Sequence, residues 1–203
     1  MPPDCGASGP AAILYRPFTH KLVASVQDAG MKTKTLCILF ALAAPLFADE
    51  GNPQIDYKAF VNLTTKLEPE RQARRISEDE FLKMAAEKGV VVLDTRSKAK
   101  FDKLHVQGAK HLNFSDFTEE ALMQVIPKKD TPILIYCNNN FADARSAMPT
   151  KSAPLALNIP TYINLRGYGY KNVYELKGFK SVNDTKIPFA GLEMELKKID
   201  QQK

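Results

Sequence analysis

Short runs of apolar residues alternate with amphipathic stretches through most of the chain beyond residue 75. The run VVVL stands directly before Asp94, and the run ILIY stands directly before Cys137. Neither run contains a charged residue. Further strands are predicted over residues 109–113 and 173–176. Strands that are apolar throughout lie in the centre of a sheet whose two faces are both covered. The two runs therefore predict the innermost strands of a parallel sheet.

The amphipathic stretches between these runs predict helices. Ser77 and Glu80 have the spacing of a capping box and precede the apolar residue Phe81, so a helix is expected to begin at Ser77. Gly89 is expected to end it, and residues 115–127 predict another capped helix. The alternation predicts an α/β fold with an open central parallel β-sheet flanked by helices on both faces.

Before this domain, the sequence NPQIDYKAFVNLTTKLEPERQARR predicts a helix that packs on the domain as an N-terminal arm. Its buried side is expected to carry four apolar residues: Tyr57, Phe60, Val61 and Leu67. Pro69 is expected to close the helix, because proline lacks a backbone N–H group and clashes with the preceding turn.

The N-terminal part of the chain has the pattern of a signal peptide. The sequence that starts at Met31 carries two lysines, then an apolar run over residues 36–47, and ends at the small residue Ala48. This order is typical of secretory signals, and the apolar run is short for a membrane span. A membrane anchor and a buried helix are the alternatives. We expect a periplasmic or secreted protein with no stable membrane insertion after processing.

Five segments follow from these patterns. They are an unassigned leader upstream of the expected start (1–30), a signal peptide (31–48), an N-terminal helical arm (49–74), the α/β domain (75–190) and a charged C-terminal tail (191–203). The net charge of +5 is spread over interleaved acids and bases, as in EPERQARRISEDEF. Such interleaving is typical of solvated helical faces, so we expect no nucleic-acid partner.

The cysteines indicate one candidate site. Cys5 lies in the leader and Cys37 in the signal peptide, so Cys137 is expected to be the only thiol of the processed protein. No CxxC motif or Cys/His pair is present, and we expect no metal. Because ligands bind beyond the carboxyl ends of parallel strands, Asp94 and Cys137 are expected at one edge of the sheet.

The sequence resembles the rhodanese-like (single-domain sulfurtransferase) family over about residues 76–178. The first family signature matches LDTRSKAKFDKLHVQGAKHLNF at Asp94, Arg96, Phe101, His105, Val106, Gly108, Ala109 and Leu112. The second is the apolar strand PILIYC, and the third matches at Gly169, Tyr170, Val173, Leu176 and Gly178. The departures from the family pattern are Lys100, Leu104 and Phe179.

The resemblance implies a rhodanese-like fold and a reaction. Cys137 would take sulfane sulfur from a small sulfur-containing anion such as thiosulfate, and pass it from a persulfide to a thiol or cyanide acceptor. No cofactor is implied, and a protein could be the acceptor. Backbone N–H groups after the strand are expected to stabilise the anion and to lower the pKa of Cys137.

The loop after Cys137 supplies the candidate substrate-binding residues, and it is longer than in the family. Asn138, Asn139 and Asn140 either donate to a bound sulfur anion or only shape the turn. Phe141 is either a lid or a core residue. Arg145, separated from Cys137 by seven residues, is either an anion-binding group or a solvated side chain.

Three further residues are expected to support the site structurally. Asp94 and Arg96 are expected to tie down neighbouring loops, and His105 to fix the turn at Gly108. No histidine is clearly placed beside Cys137, which argues against a Cys-His hydrolase.

Other functions stay open. The altered loop and the lost glycines favour a non-catalytic rhodanese-like module that binds a partner protein or a small anion. A thiol redox sensor would cycle Cys137 through sulfenic acid, but the processed chain lacks a second cysteine to resolve it. A phosphatase or arsenate reductase is disfavoured by the position of Arg145.

Overall fold

The structure, a computed structural model, describes residues 52–202. The start at Met31, the signal peptide over residues 31–48 and the cysteines Cys5 and Cys37 lie outside the described residues. Within residues 52–202, no helix has both the length and the apolar character needed to cross a bilayer.

The helices and strands of this part of the chain are mostly short. The α-helices are α1 (Tyr57–Ala73), α2 (Glu78–Ala85), α3 (Lys98–Lys103), α4 (Glu119–Val125), α5 (Asn158–Gly167) and α6 (Leu192–Gln201). The strands are β1 (Arg75–Ile76), β2 (Val91–Asp94), β3 (His105–Val106), β4 (Lys110–His111), β5 (Ile133–Tyr136), β6 (Phe141–Ala142), β7 (Val173–Leu176), β8 (Lys180–Ser181) and β9 (Phe189–Ala190).

Five strands form the central sheet in the order β1-β7-β5-β2-β4, and every pair is parallel. The two apolar runs of the sequence contribute to β2 and β5, and all residues of these two strands are buried. Strand β5 lies in the middle, where Ile135 is opposite Leu93 of β2 and Glu175 of β7. The predicted parallel sheet is thus confirmed, with β5 at its centre.

Helices cover both faces of the sheet. Successive residues of β5 point to opposite faces, so the contacts of Ile135 and Tyr136 show what covers each one. Ile135 belongs to one apolar cluster with Leu122 of α4 and Tyr162 of α5. Tyr136 belongs to a second cluster with Phe81 of α2. The predicted α/β architecture is therefore confirmed.

The capping box of α2 forms as the sequence predicts. The backbone N–H of Ser77 donates to Oε2 of Glu80 (2.9 Å), and the backbone N–H of Glu80 donates to Oγ of Ser77 (3.3 Å). This start of α2 places Phe81 in the core with no exposed surface.

The arm helix α1 differs from its prediction in two respects. It continues through Pro69 to Ala73, because Glu70 and Arg71 in its last turn form ion pairs with Arg166 and Glu175 of the domain. Only its Leu67 is buried. The other three residues expected on the buried side are exposed, by 78% for Tyr57, 45% for Phe60 and 40% for Val61.

Candidate active site

Cys137 follows the last residue of the central strand β5 and begins a 3₁₀ turn over Asn138–Asn140. The residue is only 2% exposed, but it lines a cavity of about 450 Å³, which we call the Cys137 cavity. The other lining residues are Arg71, Arg75, Asn139, Asn140, Ala153, Ala156, Asn158, Ile159, Glu175, Gly178 and Phe179. The thiol is thus largely buried at the side of a cavity that is open to solvent.

Backbone N–H groups converge on the thiol, as the sequence predicts. Those of Asn139, Leu157 and Asn158 donate toward it, and the last two belong to the start of α5. The predicted lowering of its pKa is nevertheless wrong. Burial raises the pKa of Cys137, the negative charge of Glu175 raises it further, and the backbone donors offset only part of this.

Asn140 uses both ends of its side chain to hold the loop. Its Oδ1 accepts from the backbone N–H of Cys137 (2.9 Å) and from Nδ2 of Asn158 (3.0 Å). Its Nδ2 donates to the carbonyl oxygens of Leu176 (2.9 Å) and Gly178 (3.0 Å). This side chain therefore shapes the turn, which is one of its two predicted roles.

Asn139 and Asn138 are placed on different sides of the loop. Asn139 exchanges two hydrogen bonds with the backbone of Lys151 (2.8 and 3.0 Å) and lines the Cys137 cavity. Asn138, 5% exposed, lines a separate cavity of about 400 Å³ together with Lys100 and Thr95. Its predicted contact with an anion at Cys137 is therefore not supported by its position.

Phe141 and Arg145 do not line the Cys137 cavity, and their positions agree with the core and solvated alternatives rather than with substrate binding. Phe141 is buried in the core and packs edge-on against Tyr136 and Phe189, with ring centroids 6.1 and 5.0 Å apart. Arg145 is exposed, because its neighbour Ala144 takes the buried position of this loop.

Asp94 and Arg96 form a buried pair that ties three segments together. Nη2 of Arg96 donates to Oδ2 of Asp94 (2.6 Å) and to the carbonyl oxygen of Leu104 (2.6 Å), while Nη1 donates to the carbonyl oxygen of Ala147 (3.1 Å). The hydroxyl of Tyr136 also donates to Asp94. These contacts match the predicted supporting role.

His105 does not line the Cys137 cavity. Its ring stacks on Phe101 with centroids 3.8 Å apart, and its Nδ1 is 2.7 Å from the carbonyl oxygen of Phe101. Gly108 follows in a turn with a φ of 81°, a conformation that glycine adopts readily. His105 is thus part of the local structure before this turn.

Three charged residues of the Cys137 cavity were missed by the sequence analysis. Glu175 of β7 is 3% exposed, and Nη2 of Arg71 lies 2.8 and 2.7 Å from its two carboxylate oxygens. Arg75 of β1 approaches the same carboxylate, with Nε 3.7 Å from Oε1. The signal in the sequence was a glutamate inside a buried strand, because such a charge requires a partner.

A metal site is not apparent in the described residues. Over positions 52–202, no three or more His, Cys, Asp and Glu side chains are grouped so that they could hold a metal ion.

Several solved structures are similar to this chain at low sequence identity. A structure of an Anabaena sp. protein is 17% identical, and the match covers 63% of this chain and 90% of that one with a TM-score of 0.42. A rhodanese with anions from E. coli is 22% identical over 51% of this chain and 99% of its own, with a TM-score of 0.35.

The polysulfide-sulfur transferase homodimer of Wolinella succinogenes is 15% identical, and the match covers 60% of this chain and 81% of that one with a TM-score of 0.33. A search of curated proteins finds no match. The model of the Rhodanese-like domain family matches residues 77–182, which is more than half of the chain. The chain therefore belongs to the Rhodanese-like domain family.

Proposed function

We propose that this protein is a sulfurtransferase that relays sulfane sulfur through a persulfide on Cys137. The observation that carries the proposal is the position of the thiol at the end of β5, where backbone N–H groups of three residues point at it inside the Cys137 cavity. Such donors stabilise a thiolate and, after the transfer, a negatively charged persulfide.

The proposed reaction has two steps. The Cys137 thiol first loses its proton to solvent, and the thiolate attacks the outer sulfur of thiosulfate. The S–S bond of thiosulfate breaks, sulfite leaves with its electron pair, and Cys137 becomes a persulfide. An acceptor thiolate or cyanide then attacks the outer sulfur, so the cysteine thiolate is restored. A relay through one nucleophile gives ping-pong kinetics.

Mass spectrometry of the purified chain after incubation with thiosulfate tests this proposal. We expect the peptide that contains Cys137 to gain the mass of one sulfur atom, and cyanide to remove it. A Cys5→Ser, Cys37→Ser double variant should gain the same mass, since the described site contains neither residue. A wild-type chain that gains no sulfur from thiosulfate or polysulfide would contradict the proposal.

A non-catalytic binding module is the second candidate. The burial of Cys137 and its raised pKa favour it, because the thiolate is the reactive form of a cysteine. The same experiment separates the two functions: a module that only binds leaves the mass of the Cys137 peptide unchanged.

We also propose that the protein is exported by the signal peptide over residues 31–48, on the basis of its sequence pattern. The intact mass of the protein recovered from its native cells reports the processed N-terminus, which this proposal puts near Asp49.

A further inference from the structure

The Cys137 cavity contains more positive than negative charge. Among the described residues, the charged side chains that line it are Arg71, Arg75 and Glu175. Two guanidinium groups and one carboxylate leave a net charge of one positive unit beside the thiol. A cavity lined by charges of this net sign favours anions.

The two arginines have hydrogen-bond donors that Glu175 does not use. Nη2 of Arg71 donates to Glu175, but Nε of Arg71 and Nε of Arg75 are buried without a hydrogen-bond partner. A guanidinium group has five N–H donors, and one carboxylate cannot satisfy two such groups. The unsatisfied donors are therefore suited to a second, planar or tetrahedral oxyanion.

These residues come from the arm and the sheet edge, because Arg71 lies in the last turn of α1 and Arg75 in β1. The loop after Cys137 does not provide an equivalent group, since Arg145 is exposed to solvent outside the cavity. Helix α1 and strand β1 thus supply the two positively charged groups of the Cys137 cavity, which the loop after Cys137 does not supply.

We propose that Arg71 and Arg75 bind the oxyanion end of the sulfur donor, and that Glu175 is the counter-charge with which an incoming oxyanion competes for the two guanidinium groups. This inference rests on the proposed sulfur transfer for its substrate. It predicts a preference for donors with an oxidised, anionic leaving group, such as thiosulfate or a thiosulfonate. The same guanidinium groups would stabilise the charge that collects on sulfite as the S–S bond breaks.

Protection of Cys137 from alkylation measures oxyanion binding without any sulfur transfer. The purified chain is treated with iodoacetamide at increasing sulfate, with chloride at matched ionic strength as the reference. Sulfate is expected to slow the modification of Cys137 in the wild type. In Arg71→Gln and Arg75→Gln, the sulfate concentration for half-maximal protection should rise at least about tenfold, as expected for loss of a charge-assisted hydrogen bond.

Arg74 provides a matched control on the same turn. It pairs with Glu70 and lies over the ring of Tyr174, and it does not line the Cys137 cavity. Arg74→Gln should therefore show wild-type protection. Equal protection in the wild type, Arg71→Gln and Arg75→Gln, or no protection in the wild type, would overturn the proposal.

Thermal unfolding shows whether Arg71→Gln folds. If it does not fold, Glu175→Gln tests the same proposal. Removing this carboxylate leaves both guanidinium groups without their counter-charge, so protection should occur at lower sulfate concentrations. A merely structural role of Glu175 would not strengthen sulfate binding.

Sulfur loading from thiosulfate and from inorganic polysulfide, which carries no oxygen atoms, then separates the two proposals. With polysulfide, the Cys137 thiolate attacks an inner sulfur, one S–S bond breaks and a shorter polysulfide leaves. Loading by polysulfide alone in Arg71→Gln supports both proposals, whereas a wild type that neither donor loads contradicts only the sulfur transfer.

Discussion

Cys137 is subject to opposing electrostatic effects. Burial and the nearby carboxylate of Glu175 disfavour its thiolate, and the backbone N–H groups of Asn139, Leu157 and Asn158 favour it. The net result is a raised pKa. Because only the thiolate is nucleophilic, the reactivity of this residue is set by the balance between these groups.

The pH dependence of alkylation tests this balance. The rate of modification of Cys137 by iodoacetamide should rise with pH along one ionisation, with its midpoint above the value of about 8.5 for a free cysteine. Glu175→Gln should move the midpoint down, because it removes a negative charge that disfavours the thiolate. Peptide mapping restricts the measurement to Cys137. A midpoint below that of a free cysteine would contradict the structure.

At the scale of the elements, the buried carboxylate of Glu78 joins α2 to β8 and to the segment that follows it. Glu78, the first residue of α2, accepts hydrogen bonds from Oγ1 of Thr185 (2.7 Å) and from the backbone N–H of Lys186, and it pairs with Lys180. Burial raises the pKa of Glu78, but the hydrogen bonds from Lys180, Thr185 and Lys186 outweigh it and lower the pKa to about 2.

This shift predicts an acid-dependent contribution to stability. The folded-state pKa of Glu78 is below its ordinary value of 4.5, so the contribution is present above about pH 4.5 and is lost as the pH falls toward 2. Glu78→Gln should lower the free energy of unfolding by about 2 kcal/mol at neutral pH, and by less as the pH falls. Urea unfolding at several pH values measures this.

The neighbouring Asp79 is the control for this prediction. It forms an exposed ion pair with Lys186 (2.8 Å), which is worth little in water. Asp79→Asn should therefore change the free energy of unfolding only slightly at any pH. A Glu78→Gln variant with the same stability as the wild type at neutral pH would show that the bonds to the segment after β8 do not contribute.

Some helices and strands could be predicted from local sequence patterns, and others could not. The strands β2 and β5 and the capping box at Ser77 were predictable, because each depends on the order of a few adjacent residues. The end of α1 was not. Pro69 favours a helix end locally, but the ion pairs of Glu70 and Arg71 with the domain hold the helix through it.

For the molecule as a whole, Asn140 connects parts that are distant in the sequence. One side chain binds the end of β5 at Cys137, the end of β7 at Leu176 and the first residue of α5, Asn158. These three elements surround the Cys137 cavity. The same hydrogen bonds therefore stabilise the fold and set the position of the thiol.

Removing this side chain should destabilise the whole domain. Asn140→Ala leaves several buried donors and acceptors without a partner, and we expect it to lower the free energy of unfolding by about 2–4 kcal/mol. Asn139→Ala is the matched control. It loses bonds to the backbone of a more exposed loop and should cost about 1 kcal/mol or less. Equal losses in urea unfolding would contradict the central position assigned to Asn140.

The parallel sheet, its central strand and the cysteine at the end of that strand could be predicted from the sequence, because runs of apolar residues and short capping patterns encode burial and local hydrogen bonds. Which charges share the cavity with Cys137 depends instead on contacts between elements that are distant in the sequence. Arg71, Arg75 and Glu175 meet there through the pairing of β1 with β7 and the docking of α1. The pKa of the thiol depends on these distances and on burial, and neither follows from residue spacing along the chain.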